Sequence, residues 1–404
     1  MKRTGQICAC LSKGEAREGV LPADILSDRI YRQMKKKRTK EMKSKTAERC
    51  LAAAVILLIL SGGLMILAAW KPAFAEWYAE TVYPVLVSTV GRVTGRFPFS
   101  VSEICIYLII LGLLLSVVLT AVRIIRRKEK AGRVLFRGFS GVMLTASVLA
   151  FLYTAGCGIN YRRESFSTKE GIITWQYTSD DLKQVCIWLT GEVNDLAPQV
   201  SRDEDQILTL DAPEEEGAVE AMEKLSGEYS SLEGYYPRPK KLIFSEVLSY
   251  QGLTGIYLPF TIEANYNGNM TSYNKPFTAC HELSHLRGFM EEREANFIAF
   301  LACAGSERID FQYSGYLSGW VYCMNALYRA DQDSWAEVRG MLDPLAEVDL
   351  AANNAFWDSY EGPVERAADR INDTYLKANG QADGVQSYDR MVDLIVAYYG
   401  NRGK

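Results

Sequence analysis

Three long apolar runs lie in the first 160 residues, and the rest of the chain mixes apolar and polar positions. The first run, residues 51–70 (LAAAVILLILSGGLMILAAW), has no charged residue and, at about 20 residues, can cross a bilayer as one helix. It lacks an Ala-x-Ala-like cleavage pattern, which favours an anchor over a removable signal peptide. Residues 101–125 and 134–159 form two further runs. The pattern predicts a tail (1–49), a membrane domain of three transmembrane helices (50–159) and a following domain (160–404).

Basic residues beside these runs predict an orientation. The tail carries a basic block from Lys35 to Arg49, and six Lys or Arg residues lie from Arg123 to Arg133, at the end of the second run and before the third. Only three lie between the first and second runs. The positive-inside rule places the tail in the cytoplasm and, after three crossings, residues 160–404 outside the cell. We expect a multi-pass protein of the bacterial cell membrane, with a disordered tail that contacts anionic lipids.

The loop between the first two runs is rich in aromatic residues and proline, as is typical of the headgroup layer. Residues 76–93 are predicted to lie along the membrane surface as an amphipathic helix. The net charge is −4, and the domain after the membrane has no basic patch interleaved with aromatics, so nucleic acid is not expected as a partner. The nine cysteines include no Cys-x-x-Cys pair, which argues against a structural zinc knuckle.

The domain after the membrane has mainly helical periodicity. Apolar residues recur every three or four positions in 182–196 and 219–232, and the pattern is almost wholly helical from residue 274 onward. Two strand-like runs cover 241–245 and 255–266. Pro259 lies within the second run, so that run is predicted to be an edge strand. The expected fold is mainly α, with a small antiparallel sheet.

The strongest chemical signal is His281-Glu282-Leu283-Ser284-His285, which contains the only two histidines of the chain. Residues four apart share one face of a helix, so the two imidazoles can bind one metal ion. Pro276 suits the first turn of such a helix and Gly288 suits the position after its end. Glu282 lies beside the metal position, where a general base for an attacking water belongs.

A catalytic zinc ion requires three protein ligands and an open position. In zinc peptidases of the gluzincin type, the third ligand is the first Glu of a Glu-x-x-Ala-Asp or Glu-x-x-Ala-Asn pattern. Glu292-Arg293-Glu294-Ala295-Asn296 resembles that pattern. The resemblance selects Glu292 as the ligand, with Asn296 as a partner of a ligand imidazole. Glu294 is the alternative ligand, while Glu291 has the spacing, but not the residue type, of metzincin ligands.

These residues predict metal-assisted hydrolysis. Zinc lowers the pKa of bound water from about 15.7 toward about 7, and Glu282 takes the proton as water attacks a carbonyl group. A tyrosine or arginine must help to stabilise the oxyanion, and the candidates are Tyr313, Tyr316 and Tyr388, although each is also compatible with a packed core aromatic. The strand within 255–265 could bind an extended peptide by backbone pairing.

The order of these features resembles a bacterial membrane family, domain-of-unknown-function family 3810. The resemblance rests on Pro259 to Asn265, His281 to His285, Glu292 to Phe297, Tyr313 to Tyr316 and a late stretch from Tyr375 to Tyr388. It implies a zincin-like metallopeptidase domain and no established substrate. The prediction is a membrane-anchored zinc metallopeptidase that cleaves a peptide or protein at the outer membrane surface. The alternatives are a non-catalytic metal-binding sensor or scaffold with this fold, and a membrane assembly factor.

Overall fold

The computed structural model describes residues 23–126, 130–384, 386 and 390–401. Three helices in this part of the chain are long and apolar enough to cross a membrane: Lys45–Trp70, Val101–Ile125 and Ala131–Arg162. Their positions match the three predicted runs. Helix α1 is Ala23–Trp70, α5 is Val101–Ile125, and α6, Ala131–Tyr153, continues through a π turn and a 3-10 turn to Arg162.

Helix α1 begins well before the membrane run. Residues 23–49, which were expected to be a disordered tail, are helical. They contain no glycine or proline and are rich in Lys, Arg, Glu and Met, which have good helix propensity. Because they extend a span that is already helical, each added residue gains a hydrogen bond without a new nucleation step. Residues 1–22 lie outside the described residues.

The segment between the first two spans contains short helices joined by π turns. Helices α2 (Pro72–Trp77), α3 (Tyr83–Leu86) and α4 (Arg92–Thr94) alternate with π turns at Tyr78–Val82 and Val87–Gly91. The expected surface helix is therefore broken into pieces, and one of its faces is buried by protein. Tyr83 and Val87 are fully buried.

The remaining helices form the domain that follows the membrane. They are α7 (Phe166–Lys169), α8 (Ser179–Leu196), α9 (Glu214–Ser226), α10 (Glu246–Ser249), α11 (Asn274–Leu286), α12 (Glu292–Ala304), α13 (Ile309–Ala330), α14 (Gln332–Arg339), α15 (Pro344–Asp358), α16 (Pro363–Ala378) and α17 (Met391–Asn401). Helix α11 packs against α9, α12, α13 and β3, and all its side chains from Pro276 to Leu286 are buried. The motif that contains His281 and His285 therefore lies in the core of the domain.

The sheet has three strands in the order β1-β3-β2: Lys240–Lys241, Glu263–Tyr266 and Gly255–Leu258. It is mixed, because β1 pairs with β3 in parallel while β2 pairs with β3 antiparallel. The expectation of an antiparallel sheet was correct only for β2 and β3. Residues 255–266 form a hairpin with its turn at Pro259–Ile262, where Ile262 has a φ of +55°. The prediction of a single edge strand over 255–266 is therefore wrong: Pro259 lies in the turn, β2 is an edge strand and β3 is the central strand. The predicted strand 241–245 is reduced to Lys240–Lys241, because residues 243–245 form a turn.

Polar contacts join the sheet to the C-terminal end of α6 and to the segment between the first two spans. The Tyr83 hydroxyl lies 2.8 Å from the Tyr257 hydroxyl and donates to the Leu286 carbonyl at 3.0 Å. Tyr257 in turn donates to the Gly156 carbonyl at 3.0 Å. The α-carbon of Gly156 faces the turn so closely that an added Cβ would lie 2.5 Å from the Pro259 carbonyl oxygen. The end of α6, the segment 72–94 and the sheet are thus packed together.

A buried carboxylate strengthens this junction. Glu263 of β3 accepts hydrogen bonds from the first backbone amides of α5, at Val101 (3.1 Å) and Ser102 (2.8 Å). It also accepts from Lys240 Nζ at 2.5 Å and from the Thr261 hydroxyl. Helix N-terminal amides have no partner within the helix, so a carboxylate stabilises them. The central strand of the sheet therefore caps the second span.

Candidate metal centre

Helix α11 positions the two histidines. It contains Pro276 in its first turn and is followed by Gly288, whose φ of +93° suits glycine at this position. The rings of His281 and His285 lie on one face, with centroids 4.6 Å apart, and both residues are at least nine-tenths buried. The predicted helix and its shared face are confirmed.

Glu292 completes the cluster from the first turn of α12. Its Oε2 atom lies 3.2 Å from His281 Nε2 and 3.5 Å from His285 Nε2. The three potential ligand atoms all lie within 4.8 Å of one another, and all three residues are buried. Glu292 Oε2 makes no aligned hydrogen bond, although it is shielded from solvent. A buried carboxylate oxygen without such a partner is costly unless another group compensates it.

The backbone fixes the orientation of His285. Its Nδ1 atom lies 2.8 Å from the Phe289 carbonyl oxygen, in the turn between α11 and α12. Because a carbonyl oxygen only accepts, Nδ1 carries the hydrogen in this contact, and in a neutral ring Nε2 then has its lone pair free toward the cluster centre. This is the arrangement by which proteins orient imidazole ligands.

The cluster fits a zinc ion. Two imidazole nitrogens and one carboxylate oxygen form a ligand set that zinc accepts in catalytic sites. The ligand atoms converge without competing hydrogen bonds from other side chains at Glu292 Oε2. His281, His285 and Glu292 could therefore hold the ion, and the cavity beside them leaves room for a further ligand.

Glu282 lies beside this cluster. It is buried, and its Oε2 atom has no hydrogen-bond partner. Burial raises the pKa of Glu282 to about 8; the charge of Glu292 adds to this effect, while His285 opposes it. Its side chain lies against the start of β2, where an added Cβ on Gly255 would be 2.4 Å from Glu282 Oε1. Only glycine at position 255 lets the carboxylate occupy this place.

The three cluster residues influence one another's protonation. Burial favours neutral Glu292, but the two histidines outweigh that effect and lower the pKa of Glu292 to about 2. Burial disfavours protonated His285, yet Glu292 raises the pKa of His285 to about 9. Burial also dominates at His281 and lowers its pKa. Without metal, the centre therefore holds an ionised Glu292 beside a protonated His285.

Glu294, the alternative ligand, faces a different part of the domain. It accepts hydrogen bonds from the backbone amide and the hydroxyl of Ser167, both at 2.8 Å, and it lies 3.2 Å from Arg293 Nε. It does not belong to the metal cluster. Glu291 lies 3.2 Å from the same Arg293 nitrogen. Of the three glutamates in this stretch, Glu292 alone joins the histidines.

Asn296 stands one turn after Glu292, as predicted, and its side chain hydrogen-bonds His281. Two of the three expected tyrosines, Tyr313 and Tyr316, do not reach the site. The Tyr313 hydroxyl donates to Asp349 at 2.6 Å, and Tyr316 packs among the rings of Trp188 and Phe300. Both serve the core, because their side of α13 faces other helices. Tyr388 lies outside the described residues.

A cavity of about 370 Å³ opens beside the cluster. His281, Glu282 and Asn296 line it, together with Tyr322 of α13, which the sequence analysis missed. The Tyr322 hydroxyl lies 3.5 Å from Asn296 Nδ2. Ser314, Ser318 and Tyr322 are spaced by four residues, so the small serines mark the face of α13 that turns toward α11. That spacing is the signal that could have singled out Tyr322 instead of Tyr313.

A family model of proteins of unknown function, DUF3810, matches residues 78–396. The chain belongs to this family. The match begins within the segment 72–94, which packs under the sheet, and continues through all the cavity residues, so the DUF3810 region includes the membrane junction as well as the metal cluster. No curated protein and no solved structure matches the chain.

Proposed function

We propose that this DUF3810 protein is a membrane-anchored, zinc-dependent metallopeptidase with a zincin-like, gluzincin-type centre that faces the outside of the cell. The observation that carries the proposal is the buried convergence of His281, His285 and Glu292 beside the unpartnered carboxylate of Glu282. A structural zinc site would need a fourth protein ligand. Here the space next to the cluster is a cavity large enough for part of a peptide.

Each side chain has a defined part in this chemistry. A bound zinc ion lowers the pKa of a coordinated water toward about 7 and polarises a carbonyl group. Glu282 accepts the proton of the attacking water and passes it to the leaving amine. Asn296 holds His281 in place.

Tyr322 is the tyrosine proposed to stabilise the oxyanion. Its side chain lines the cavity with His281 and Glu282, whereas Tyr313 and Tyr316 do not. A phenol that donates a hydrogen bond to the developing negative charge stabilises the transition state more than the ground state.

The substrate is proposed to bind as an extended chain along β2. The segment from Gly252 to Gly255 lines the cavity, and β2 is an edge strand that pairs only with β3 in the described sheet. An extended peptide can add to such an edge by backbone hydrogen bonds, which places a peptide carbonyl near Glu282. This geometry favours peptide bonds over small-molecule substrates.

Metal analysis of the purified full-length protein tests the proposal. We expect one zinc ion per chain in the wild type, loss of that ion in Glu292→Gln, and retention in Glu294→Gln. The two glutamates are matched, because both are buried in the first turn of α12 and only Glu292 faces the histidines. A wild type without stoichiometric metal would refute the proposal. A metal-bound protein with unaltered processing of the membrane proteome in Glu282→Gln cells would favour a non-catalytic sensor or scaffold.

A further inference from the structure

Four apolar side chains stand out on the surface of the domain. Ile243, Phe244, Val247 and Tyr250 are each about half exposed, although they lie within a stretch of eight residues. We call this group the apolar ridge. It follows β1, includes helix α10 and ends directly before the cavity-lining segment that starts at Gly252. Contiguous apolar surface of this kind marks an interaction site.

The ridge is attached to the outer end of the second span. Glu103, in the first turn of α5, accepts hydrogen bonds from the backbone amides of Ile243 at 2.9 Å and Phe244 at 3.0 Å. The same carboxylate accepts from the Tyr107 hydroxyl at 2.6 Å. The Phe244 ring packs edge-on against Tyr107, with centroids 5.7 Å apart.

This attachment sets the depth of the ridge. A helix rises about 1.5 Å per residue, so the 25 residues of α5 span roughly 37 Å, against about 30 Å of hydrocarbon. Tyr107 is six residues into α5, or roughly 9 Å from its start. A ring packed on Tyr107 thus lies near the hydrocarbon boundary. Phe97 and Phe99, exposed just before α5, lie at the same end.

The backbone hydrogen bonds of the apolar ridge suit a position near the hydrocarbon boundary. Backbone amides near the hydrocarbon must find partners within the protein, and Glu103 supplies them at Ile243 and Phe244. Glu246 of α10 is exposed, and a charged carboxylate is unfavourable in hydrocarbon. The ridge is therefore placed at the boundary of headgroups and acyl chains and not deeper in the bilayer.

We infer that the apolar ridge inserts into the membrane leaflet at the Val101 end of α5, so that its partner is the lipid bilayer. Phe244 and Val247 contact acyl chains there, and Tyr250 lies at the headgroup level. The inference does not depend on catalysis. If the proposed peptidase function holds, the adjacent cavity receives its substrate at the bilayer surface, which selects membrane-attached polypeptides over soluble ones.

Photo-cross-linking in vesicles tests the inference. The full-length protein, with a photoreactive benzophenone side chain in place of Phe244 or Val247, is reconstituted in phosphatidylethanolamine and phosphatidylglycerol vesicles and illuminated. The control carries the same group in place of Tyr328, which is similarly exposed but packs on Trp335 of α14. We expect lipid adducts, detected by mass spectrometry, to be several-fold more abundant at both ridge positions than at the control.

Two results would overturn the inference: equal lipid labelling at the ridge and the control, or cross-links from the ridge to another protein chain instead of lipid. Zinc content is measured on the same samples. Because metal binding and lipid labelling are independent readouts, loss of zinc with retained lipid labelling would count against the proposed function alone.

Discussion

Buried glutamates lie at the junction between the sheet and the spans and also at the candidate metal centre, but their hydrogen bonding differs between the two places. At the junction, Glu263 accepts hydrogen bonds from two backbone amides, a lysine and a threonine hydroxyl. At the metal centre, Glu282 Oε2 and Glu292 Oε2 have no aligned hydrogen-bond partner. A saturated carboxylate contributes to the fold, whereas an unsaturated one retains its capacity to bind a ligand. Under the proposed function, this difference separates the structural acid Glu263 from the functional acids Glu282 and Glu292.

The largest effect is expected for Glu282→Gln. The amide cannot accept the proton of an attacking water, so peptide hydrolysis should fall by about 10²–10⁴-fold, the usual contribution of general acid–base catalysis. Zinc content should not change, because Glu282 is outside the ligand cluster. Single-turnover cleavage assays and metal analysis of the same preparation provide the check. Full activity in the metal-loaded variant would exclude Glu282 as the base.

Glu263→Gln should affect stability instead. The substitution leaves Lys240 buried without its negative partner, and loss of one member of a buried ion pair costs about 3–5 kcal/mol. We expect a clear drop in the thermal unfolding temperature in detergent. The control is Glu216→Gln, because Glu216 forms an exposed pair with Arg238, and such pairs contribute little. Equal unfolding temperatures for the two variants would contradict the structural role of Glu263.

Gly255→Ala tests the position of the Glu282 carboxylate without changing its chemical identity. The new Cβ would lie 2.4 Å from Glu282 Oε1, so the carboxylate must move while the metal ligands stay in place. A displacement of about 1 Å in a catalytic group can reduce the rate by about 10²-fold. Gly191→Ala in α8 is the matched control, since no heavy atom lies within 4 Å of its added Cβ. Hydrolysis rates and zinc content of both variants are compared. Loss of zinc from Gly255→Ala would show that the substitution displaces the metal ligands as well as Glu282.

The smallest effect is a pH dependence of the metal-free protein. Folding raises the pKa of Glu282 from 4.5 to about 8 and that of His285 from 6.5 to about 9. Between each pair of values the folded chain holds a proton that the unfolded chain has lost, so stability falls as the pH rises. Glu282→Gln should flatten this fall of stability between pH 4.5 and 8. Urea unfolding at several pH values measures it; an unchanged slope would contradict the raised pKa.

Local sequence patterns were sufficient for the spans and for most of the cluster. A run of apolar residues needs no partner to predict a membrane helix, and histidines four apart share a helical face wherever the helix lies. Glu292 required the likeness to a known pattern, because spacing alone could not separate it from Glu294. The structure brings Glu292 to the histidines and directs Glu294 to Ser167.

Features that depend on distant pairing were not predictable in this way. The cap that Glu263 forms on α5 joins residues more than 160 positions apart, and neither end carries a pattern that identifies the other. The burial of Tyr83 under the domain has the same origin, since only Tyr257 and Leu286 make it a core residue. Tyr322 was missed because the family-like stretch drew attention to Tyr313 and Tyr316, whose hydroxyl and ring have partners elsewhere.

The cap of Glu263 on the second span has a mechanical consequence. Strand β3 holds the first amides of α5 and also packs against α11, which carries the histidines. Strand β3 and helix α11 thus connect the second span to the two histidines without an intervening loop. Under the proposed function, the centre is therefore held at a fixed height above the bilayer. A substrate is then selected by the length of chain between its own membrane anchor and the peptide bond to be cleaved. Substrates that differ only in this length test the consequence.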